Sequence, residues 1–182
     1  MGLEPLFNLI VEILRTLWPL GLIEQWERGV YVRFGRPTRG WLRKGFVLGP
    51  GIYFAAPYFA KIIPVSVVDN PLVLGKQDFT LDDGTPITVK TGATIRVVDP
   101  MKALFEIEEY EQNAGELIQA AIGVLLVTVD RTVFDSGRKR NGLLKRIASE
   151  ADSRTRIYGV QVSEVWFTSF SLALPTGRLM MD

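Results

Sequence analysis

The sequence predicts an α+β fold in which an antiparallel sheet packs against helices and follows an apolar N-terminal membrane helix. Three patterns predict it: a largely apolar run over residues 5–23, period-two alternation over residues 87–98, and helical periodicity after residue 99. The 182 residues suit one domain or a compact domain with an appendage. We expect a membrane-associating helix over 1–25, a β-rich subdomain over 26–98 and an α/β subdomain over 99–182.

The apolar run at the N-terminus carries eleven Leu, Ile, Val or Phe residues and a narrow polar stripe that includes Glu12 and Arg15. The apolar residues contribute about −3 to −7 kcal/mol to insertion, and the two central charges cost about 5 to 7 kcal/mol. A helix lying in the membrane interface, or dipping in and returning at Pro19, is therefore favoured over a simple span. Burial of its apolar face against another subunit, or against the rest of the chain, is the alternative. The predicted membrane-contacting residues are Leu6, Phe7, Leu9, Ile10, Ile13, Leu14, Leu17 and Trp18.

A basic stretch follows over residues 26–46, with Trp26 and Trp41 among its cations. Cations beside a membrane helix gain energy from anionic lipids, and Trp prefers the headgroup level. The predicted anionic-surface residues are Arg28, Arg36, Arg39, Arg43 and Lys44. The alternative is a solvated strand face in which Arg28 or Arg33 pairs with local acids. Nucleic acid is not an expected partner, because the net charge is only +1 and no recognition motif is present.

The middle of the chain is rich in strand patterns separated by Gly and Pro. Strands are expected over 29–34, 52–54, 61–68 and 71–81. The sequence Asp-Asp-Gly-Thr-Pro over 82–86 predicts a hairpin turn. The strand after it is expected to be half buried, with one face formed by Ile87, Val89, Thr91, Ala93, Ile95 and Val97.

The pattern becomes helical after residue 98, where Asp99 and Pro100 form an N-cap followed by Pro at the first helical position. A short acidic helix near residues 106–111, an uncharged core helix over 117–129 and an amphipathic helix over 135–158 are expected. The outer face of the last helix is basic. A final strand begins at Val160.

The absence of Cys and His excludes thiolate and imidazole chemistry, disulfides and zinc sites of the usual kind. We expect no cofactor and no metal. Enzymatic use of paired carboxylates, Asp82 with Asp83 or Glu106 with Glu109, is the remaining catalytic alternative. Turn formation explains the first pair better, and a solvated acidic helix face explains the second equally well.

Five segments in order over residues 26–175 resemble the SPFH, or Band 7, superfamily of stomatins, prohibitins and flotillins. They are Glu-Arg-Gly-Val-Tyr-Val-Arg-Phe-Gly-Arg over 27–36, Leu-Gly-Pro-Gly-Ile-Tyr-Phe over 48–54 with Pro57-Tyr58, Thr-Leu-Asp-Asp-Gly-Thr-Pro-Ile-Thr-Val over 80–89, Ile-Arg-Val-Val-Asp-Pro over 95–100, and Tyr-Gly-Val-Gln-Val over 158–162 with Leu174-Pro175. The resemblance implies a membrane-attached, non-enzymatic scaffold. It also implies assembly side by side into rings or cages that act on membrane proteases or channels.

Two departures from the family pattern are apparent. The long coiled coil that usually follows the domain has no counterpart before Asp182, so we expect a short member or a truncated chain. The segment 121–135 also differs from the usual pattern. A soluble or viral assembly subunit, whose N-terminal helix is a subunit interface, is the competing function. The acidic stretch 106–116 and the basic stretch 138–146 suggest an interface between copies, with the candidates Glu106, Glu109, Arg138, Lys139 and Arg140.

Overall fold

The computed structural model of the chain describes residues 12, 20–37, 47–56 and 58–172. Its contacts divide the chain into a first unit, residues 1–68, and a second unit, residues 69–182. This division differs from the boundary at 98 and 99 that the sequence suggested. The strands over 70–80 and 86–97 form a hairpin, and the second of them pairs with the last strand, so one sheet holds the two sides of that boundary together.

From residue 20 on, the described part of the first unit forms short antiparallel strands. Strand β1 (Leu20–Ile23) pairs with β5 (Gly51–Phe54) in a two-stranded ribbon. Strand β2 (Glu27–Arg33) pairs along one edge with β6 (Ala60–Ser66), and along the other with β3 (Arg36–Pro37) and β4 (Val47–Leu48). The expected strands near 29–34, 52–54 and 61–68 are therefore present.

The ribbon approaches β2 closely because Gly29 has no side chain. A Cβ atom on Gly29 would lie 2.2 Å from Cδ1 of Ile23 and 2.8 Å from Cγ2 of Ile62. Ile23 is only 1% exposed and packs in the core of this unit with Val30, Val32, Leu48 and Val65. The glycine therefore makes room for the one side chain of β1 that is buried.

The second unit contains a three-stranded antiparallel sheet in the order β7 (Asn70–Thr80), β8 (Pro86–Val97) and β9 (Val160–Leu172). The predicted alternation of β8 is confirmed, because its buried face consists of Ile87, Val89, Thr91, Ala93, Ile95 and Val97. Gly92 interrupts the opposite face, where a Cβ atom would lie 2.4 Å from the indole of Trp166 on β9. The indole thus packs directly on the backbone of β8.

Four α-helices of the described chain belong to the second unit: α1 (Pro100–Phe105), α2 (Tyr110–Leu126), α3 (Thr132–Asp135) and α4 (Gly137–Thr155). The predicted cap of α1 is confirmed, since the Asp99 carboxylate accepts hydrogen bonds from the amides of Met101 and Lys102. Helix α2 packs on β7, and α4 packs on α2 and β9. A single 3₁₀ turn (Arg156–Tyr158) joins α4 to β9.

The expected acidic helix near residues 106–111 is not continuous. Helix α1 ends at Phe105, and a turn precedes α2, in which Glu109 has a left-handed φ of 45°. The Asn113 side chain donates a hydrogen bond to the carbonyl of Glu108, which holds this turn. Closely spaced glutamates repel one another on a helix, which disfavours helix formation through this segment. The expectation that Glu106 and Glu109 share a helical face was wrong.

Candidate membrane-contacting surface

The outer face of the β1–β5 ribbon is formed entirely by large apolar side chains. Leu20 lies opposite Phe54, and Leu22 lies opposite Ile52. All four are exposed, Leu22 by 66% and Ile52 by 69%. Because side chains alternate along a strand, the ribbon buries Ile23 on one side and presents these four on the other. We call this set, Leu20, Leu22, Ile52 and Phe54, the apolar ribbon face.

Three exposed aromatic residues lie at one end of the β2–β6 pair, and we call Phe34, Tyr58 and Phe59 the aromatic tip. The Phe34 and Phe59 rings pack edge to face with centroids 5.6 Å apart. The Phe34 amide donates to the Phe59 carbonyl at 2.9 Å. Phe34 and Tyr58 have φ values of 49° and 66°, a region that large residues rarely adopt. Phe34 begins the two-residue turn between β2 and β3, and such turns require a positive φ at this position.

Arginines flank the aromatic tip. The two-residue turn Phe34–Gly35 joins β2 to β3, and Arg33 and Arg36 are paired at its base. The Arg33 guanidinium lies 5.5 Å from the Phe34 ring centroid. Arg36 is exposed. An aromatic side chain between two cations matches the chemistry of a lipid headgroup layer, in which the rings lie at the interface and the cations meet phosphates.

The predicted anionic-surface residues are distributed unevenly. Arg36 lies beside the aromatic tip, whereas Arg28 donates to the backbone carbonyls of Gln25 and Glu27 and is only partly exposed. Arg39, Arg43 and Lys44 lie outside the described residues. So do the predicted membrane-contacting residues Leu6, Phe7, Leu9, Ile10, Ile13, Leu14, Leu17 and Trp18.

Sequence reasoning missed both the apolar ribbon face and the aromatic tip. Leu20 and Leu22 were read as the end of the apolar helix, and Ile52 and Phe54 as an ordinary short strand. The exposure of these residues depends on the pairing of β1 with β5, whose paired residues lie about 30 positions apart in the sequence. A signal was nevertheless present: alternating Leu-Gly-Leu-Ile after Pro19 is a strand pattern, although four residues make it short.

The predicted interface residues lie on the second unit. Glu106 and Glu109 are exposed in the α1–α2 turn, and Arg138 and Lys139 are exposed in the first turn of α4. Arg140 is engaged within the chain: its guanidinium lies 5.2 Å from the Phe170 ring centroid, and Nη1 donates to the Phe134 carbonyl. Arg140 therefore fixes the start of α4 against the cluster of Phe134, Phe167 and Phe170.

Asp83 has a structural role in the hairpin turn that connects β7 and β8. One carboxylate oxygen accepts from the Thr85 amide at 2.9 Å, and the other accepts from the Arg131 amide at 3.0 Å. These backbone hydrogen bonds hold the pKa of Asp83 below its ordinary value of 3.8. The Asp83 carboxylate thus ties the hairpin to the start of α3.

We expect the Asp83→Asn substitution to destabilise the second unit modestly, with the full effect above about pH 4 and a progressively smaller effect as the pH falls below it. A lowered pKa in the folded state gives stability that is present above the unfolded value and lost as the pH falls through the folded value. Thermal unfolding of the wild type and the variant from pH 3 to 7 measures the difference. The neighbouring Asp82→Asn variant is the control, and an equal pH dependence in both variants would contradict this role.

None of the helices within the described ranges is long and apolar enough to cross a bilayer.

Comparison of the sequence with known proteins finds a matching family and several relatives. The sequence model of the SPFH domain / Band 7 family matches residues 22–173. A stomatin homolog of Pyrococcus abyssi is 28% identical over 160 residues, which cover 87% of this chain and 56% of the relative. A stomatin homolog of Pyrococcus horikoshii is 28% identical over 145 residues, covering 79% and 51%.

An uncharacterised protein of Archaeoglobus fulgidus is 27% identical over 173 residues, covering 94% of this chain and 66% of its own. The chain therefore spans about half to two thirds of the length of these relatives.

Proposed function

Because the chain belongs to the SPFH domain / Band 7 family, we propose that it is a non-enzymatic scaffold that attaches to a membrane and assembles side by side with copies of itself. The assembly, a ring or cage, organises a membrane microdomain or regulates a membrane partner such as a protease or a channel. Membrane attachment and a scaffolding role are general to stomatin-like proteins. The assembly and the partner are proposed for this chain.

The observation that carries membrane attachment is the apolar ribbon face. Scattered exposed apolar residues are normal on soluble proteins, but four large ones on one face of a two-stranded ribbon form a continuous patch. The ribbon begins at Leu20, within the apolar run over residues 5–23 that the sequence predicts to associate with membranes. The end of that run therefore shares one exposed apolar face with Ile52 and Phe54.

The aromatic tip and its arginines support the same placement. Burial of Leu22 and Ile52 among acyl chains would stabilise the bound state by about 1.5–3 kcal/mol for each fully buried side chain. Phe34 and Tyr58 suit the headgroup level, where Arg33 and Arg36 would meet anionic groups. A membrane surface thus satisfies the apolar and the cationic parts of the first unit together.

We expect the Leu22→Glu/Ile52→Glu variant to bind vesicles at least tenfold more weakly than the wild type, because two carboxylates replace two lipid-facing side chains. Flotation of the full chain with vesicles of phosphatidylcholine and phosphatidylglycerol measures the bound fraction. Circular dichroism of each variant checks that the chain remains folded.

The matched control is Val73→Glu/Val124→Glu, which places the same charges at exposed valines of the second unit. Equal vesicle binding by the wild type and the Leu22→Glu/Ile52→Glu variant would contradict the ribbon as a lipid contact. No vesicle binding by the wild type would instead favour the alternative, an assembly subunit whose apolar surfaces are buried between copies.

A further inference from the structure

The exposed face of α4 carries cations and no acid over its first two thirds. Its exposed cations recur at helical spacing and are Arg138, Lys139, Lys145 and Arg146. No acidic residue occurs between 137 and 149. Among the described residues, none of these four cations takes part in an ion pair; the ion pairs of α4 lie at its other end, between Glu150 and Arg154 and between Asp152 and Arg156. We call Arg138, Lys139, Lys145 and Arg146 the basic face.

The turn before α2 and the first half of α2 are acidic. The exposed acids are Glu106, Glu108, Glu109, Glu111 and Glu116, and no Lys or Arg occurs from residue 103 to 130. Glu111 is partly engaged, because it accepts hydrogen bonds from Asn70 and from the Tyr110 hydroxyl. Burial and the Glu111 carboxylate raise the pKa of Tyr110 to about 12. We call this set, Glu106, Glu108, Glu109, Glu111 and Glu116, the acidic face.

The fold directs these two faces to opposite ends of the second unit. Helix α2 runs parallel to β7, since Gly115 packs near Leu72 and Leu74, and Gly123 packs near Phe79. Helix α4 runs antiparallel to β9, since Arg140 lies over Phe170 and the Asp152 carboxylate accepts from the Val162 amide.

Strands β7 and β9 are parallel to each other because both are antiparallel to β8. The helices α2 and α4 are therefore antiparallel, and the N-terminal half of each lies at a different end of the unit. One chain consequently does not neutralise its own two faces.

We propose that the basic face of one copy docks on the acidic face of the next, in a head-to-tail contact between second units. This inference rests on the proposed function, since it assigns the surfaces of the proposed homo-oligomer. Complementary surfaces at opposite ends of one unit produce a heterologous contact, which closes into a ring when the rotation between neighbours permits and otherwise extends. Electrostatic complementarity of this kind fixes both the partner and the register.

Two local features of α4 support an occupant on this face. Cations lie in its first turn, where the helix dipole favours acids, and no acid is present there to compensate. Gly142 lies within the basic face, and no atom of the part of the chain that the structure describes lies within 4 Å of an added Cβ. Glycine is unfavourable inside a helix, and packing within the chain does not require it here. An acidic surface of a second copy compensates the dipole, and Gly142 allows that surface to approach the helix backbone.

The test uses the full chain on vesicles and reverses each face separately. The basic-reversed variant is Lys139→Glu/Arg146→Glu, and the acidic-reversed variant is Glu106→Lys/Glu108→Lys. We expect each variant alone to associate at least tenfold more weakly than the wild type, because the two substitutions leave the basic face without net charge or reduce the net charge of the acidic face from −5 to −1. An equimolar mixture of the two variants should associate more strongly than either variant alone, because the unchanged acidic face of one variant meets the unchanged basic face of the other. Chemical crosslinking on the vesicles and mass photometry after solubilisation measure the assembly.

The control Lys76→Glu/Lys90→Glu makes the same charge change on the sheet, where the two lysines are cross-strand partners, and should leave the assembly unchanged. If the wild type assembles and the basic-reversed variant assembles equally well, the docking of these faces is overturned while the proposed function stands. The same conclusion follows if the mixture of the two variants associates no more strongly than either variant alone. If the basic-reversed variant loses vesicle binding but keeps its assembly, the face contacts lipid, and the inference is also overturned. If the wild type itself stays monomeric on vesicles, the proposed homo-oligomer fails.

Discussion

Replacement of Gly159 by alanine is expected to lower the free energy of unfolding of the second unit by about 3 kcal/mol. Gly159 follows the 3₁₀ turn with a left-handed φ of 75°. An added Cβ would lie 2.5 Å from the backbone carbonyl oxygen of Asp99 and 3.0 Å from Cβ of Lys102. The obstructing atom belongs to the backbone, so no side-chain rotation relieves the contact.

The same glycine organises the junction of three elements, which makes a backbone shift there costly. Its carbonyl accepts from the amides of Val98 and Asp99, at 2.9 and 3.1 Å. Asp99 is the cap of α1. Movement of Asp99 away from a new Cβ would therefore weaken the end of β8, the cap of α1 and the start of β9 together.

Thermal and urea unfolding compare Gly159→Ala with Gly84→Ala, which is a matched control. Gly84 has a similar φ of 79°, but within the described ranges no atom lies within 4 Å of its added Cβ. Gly84→Ala should lower the free energy of unfolding by only about 1 kcal/mol, the cost of a side chain in the left-handed region. Gly159→Ala should lower the free energy of unfolding by about 3 kcal/mol, which corresponds to a decrease of about 10 °C in Tm. Equal destabilisation of the two variants would show that the contact with Asp99 carries no energy.

The second unit was the more predictable part of the fold, for physical reasons. The β8 strand has twelve residues with strict alternation, and its neighbouring turn carries Asp, Gly and Pro, so local chemistry specifies both. The cap at Asp99 is likewise local. The break between α1 and α2 was not predictable from periodicity, because it depends on how Asn113 caps a turn of adjacent glutamates.

The candidate site was less predictable than the fold. The residue types of the ribbon are apolar, and a sequence pattern alone assigns such residues to a core. Only the cross-strand register shows that Leu22 and Ile52 share an outward face, whereas Ile23 and Gly51 face inward. The basic and acidic stretches were visible in the sequence, but their opposite placement follows from the antiparallel packing of α2 and α4.

The Gly29→Ala substitution is expected to destabilise the first unit by about 2–3 kcal/mol. Alanine for glycine at an accommodating position normally stabilises a protein slightly, by restricting the unfolded chain. At Gly29 the sign should reverse, because the new Cβ would overlap Cδ1 of Ile23 and Cγ2 of Ile62. Ile23 is fully buried, so its side chain can move only against other core residues.

Gly49→Ala in the same unit is the matched control, since no atom of the described residues lies within 4 Å of its added Cβ. It should be neutral or slightly stabilising in urea unfolding. A double-mutant cycle isolates the contact further, because Ile23→Val removes Cδ1, the atom that a Cβ on Gly29 would meet first. Ile23→Val alone should cost about 0.5–1.5 kcal/mol, and Gly29→Ala/Ile23→Val should be more stable than the sum of the two changes predicts.

This cycle also tests the link between the core and the membrane-contacting surface. Ile23 is the residue through which β1 is buried, and its neighbours Leu20 and Leu22 point outward from the same four-residue strand. Displacement of Ile23 by a Cβ on Gly29 should therefore displace the apolar ribbon face and weaken vesicle binding, and Ile23→Val should restore binding in the double variant. Full vesicle binding by a destabilised Gly29→Ala chain would mean that lipid contact does not depend on how β1 docks on β2, and that the N-terminal segment alone carries the attachment.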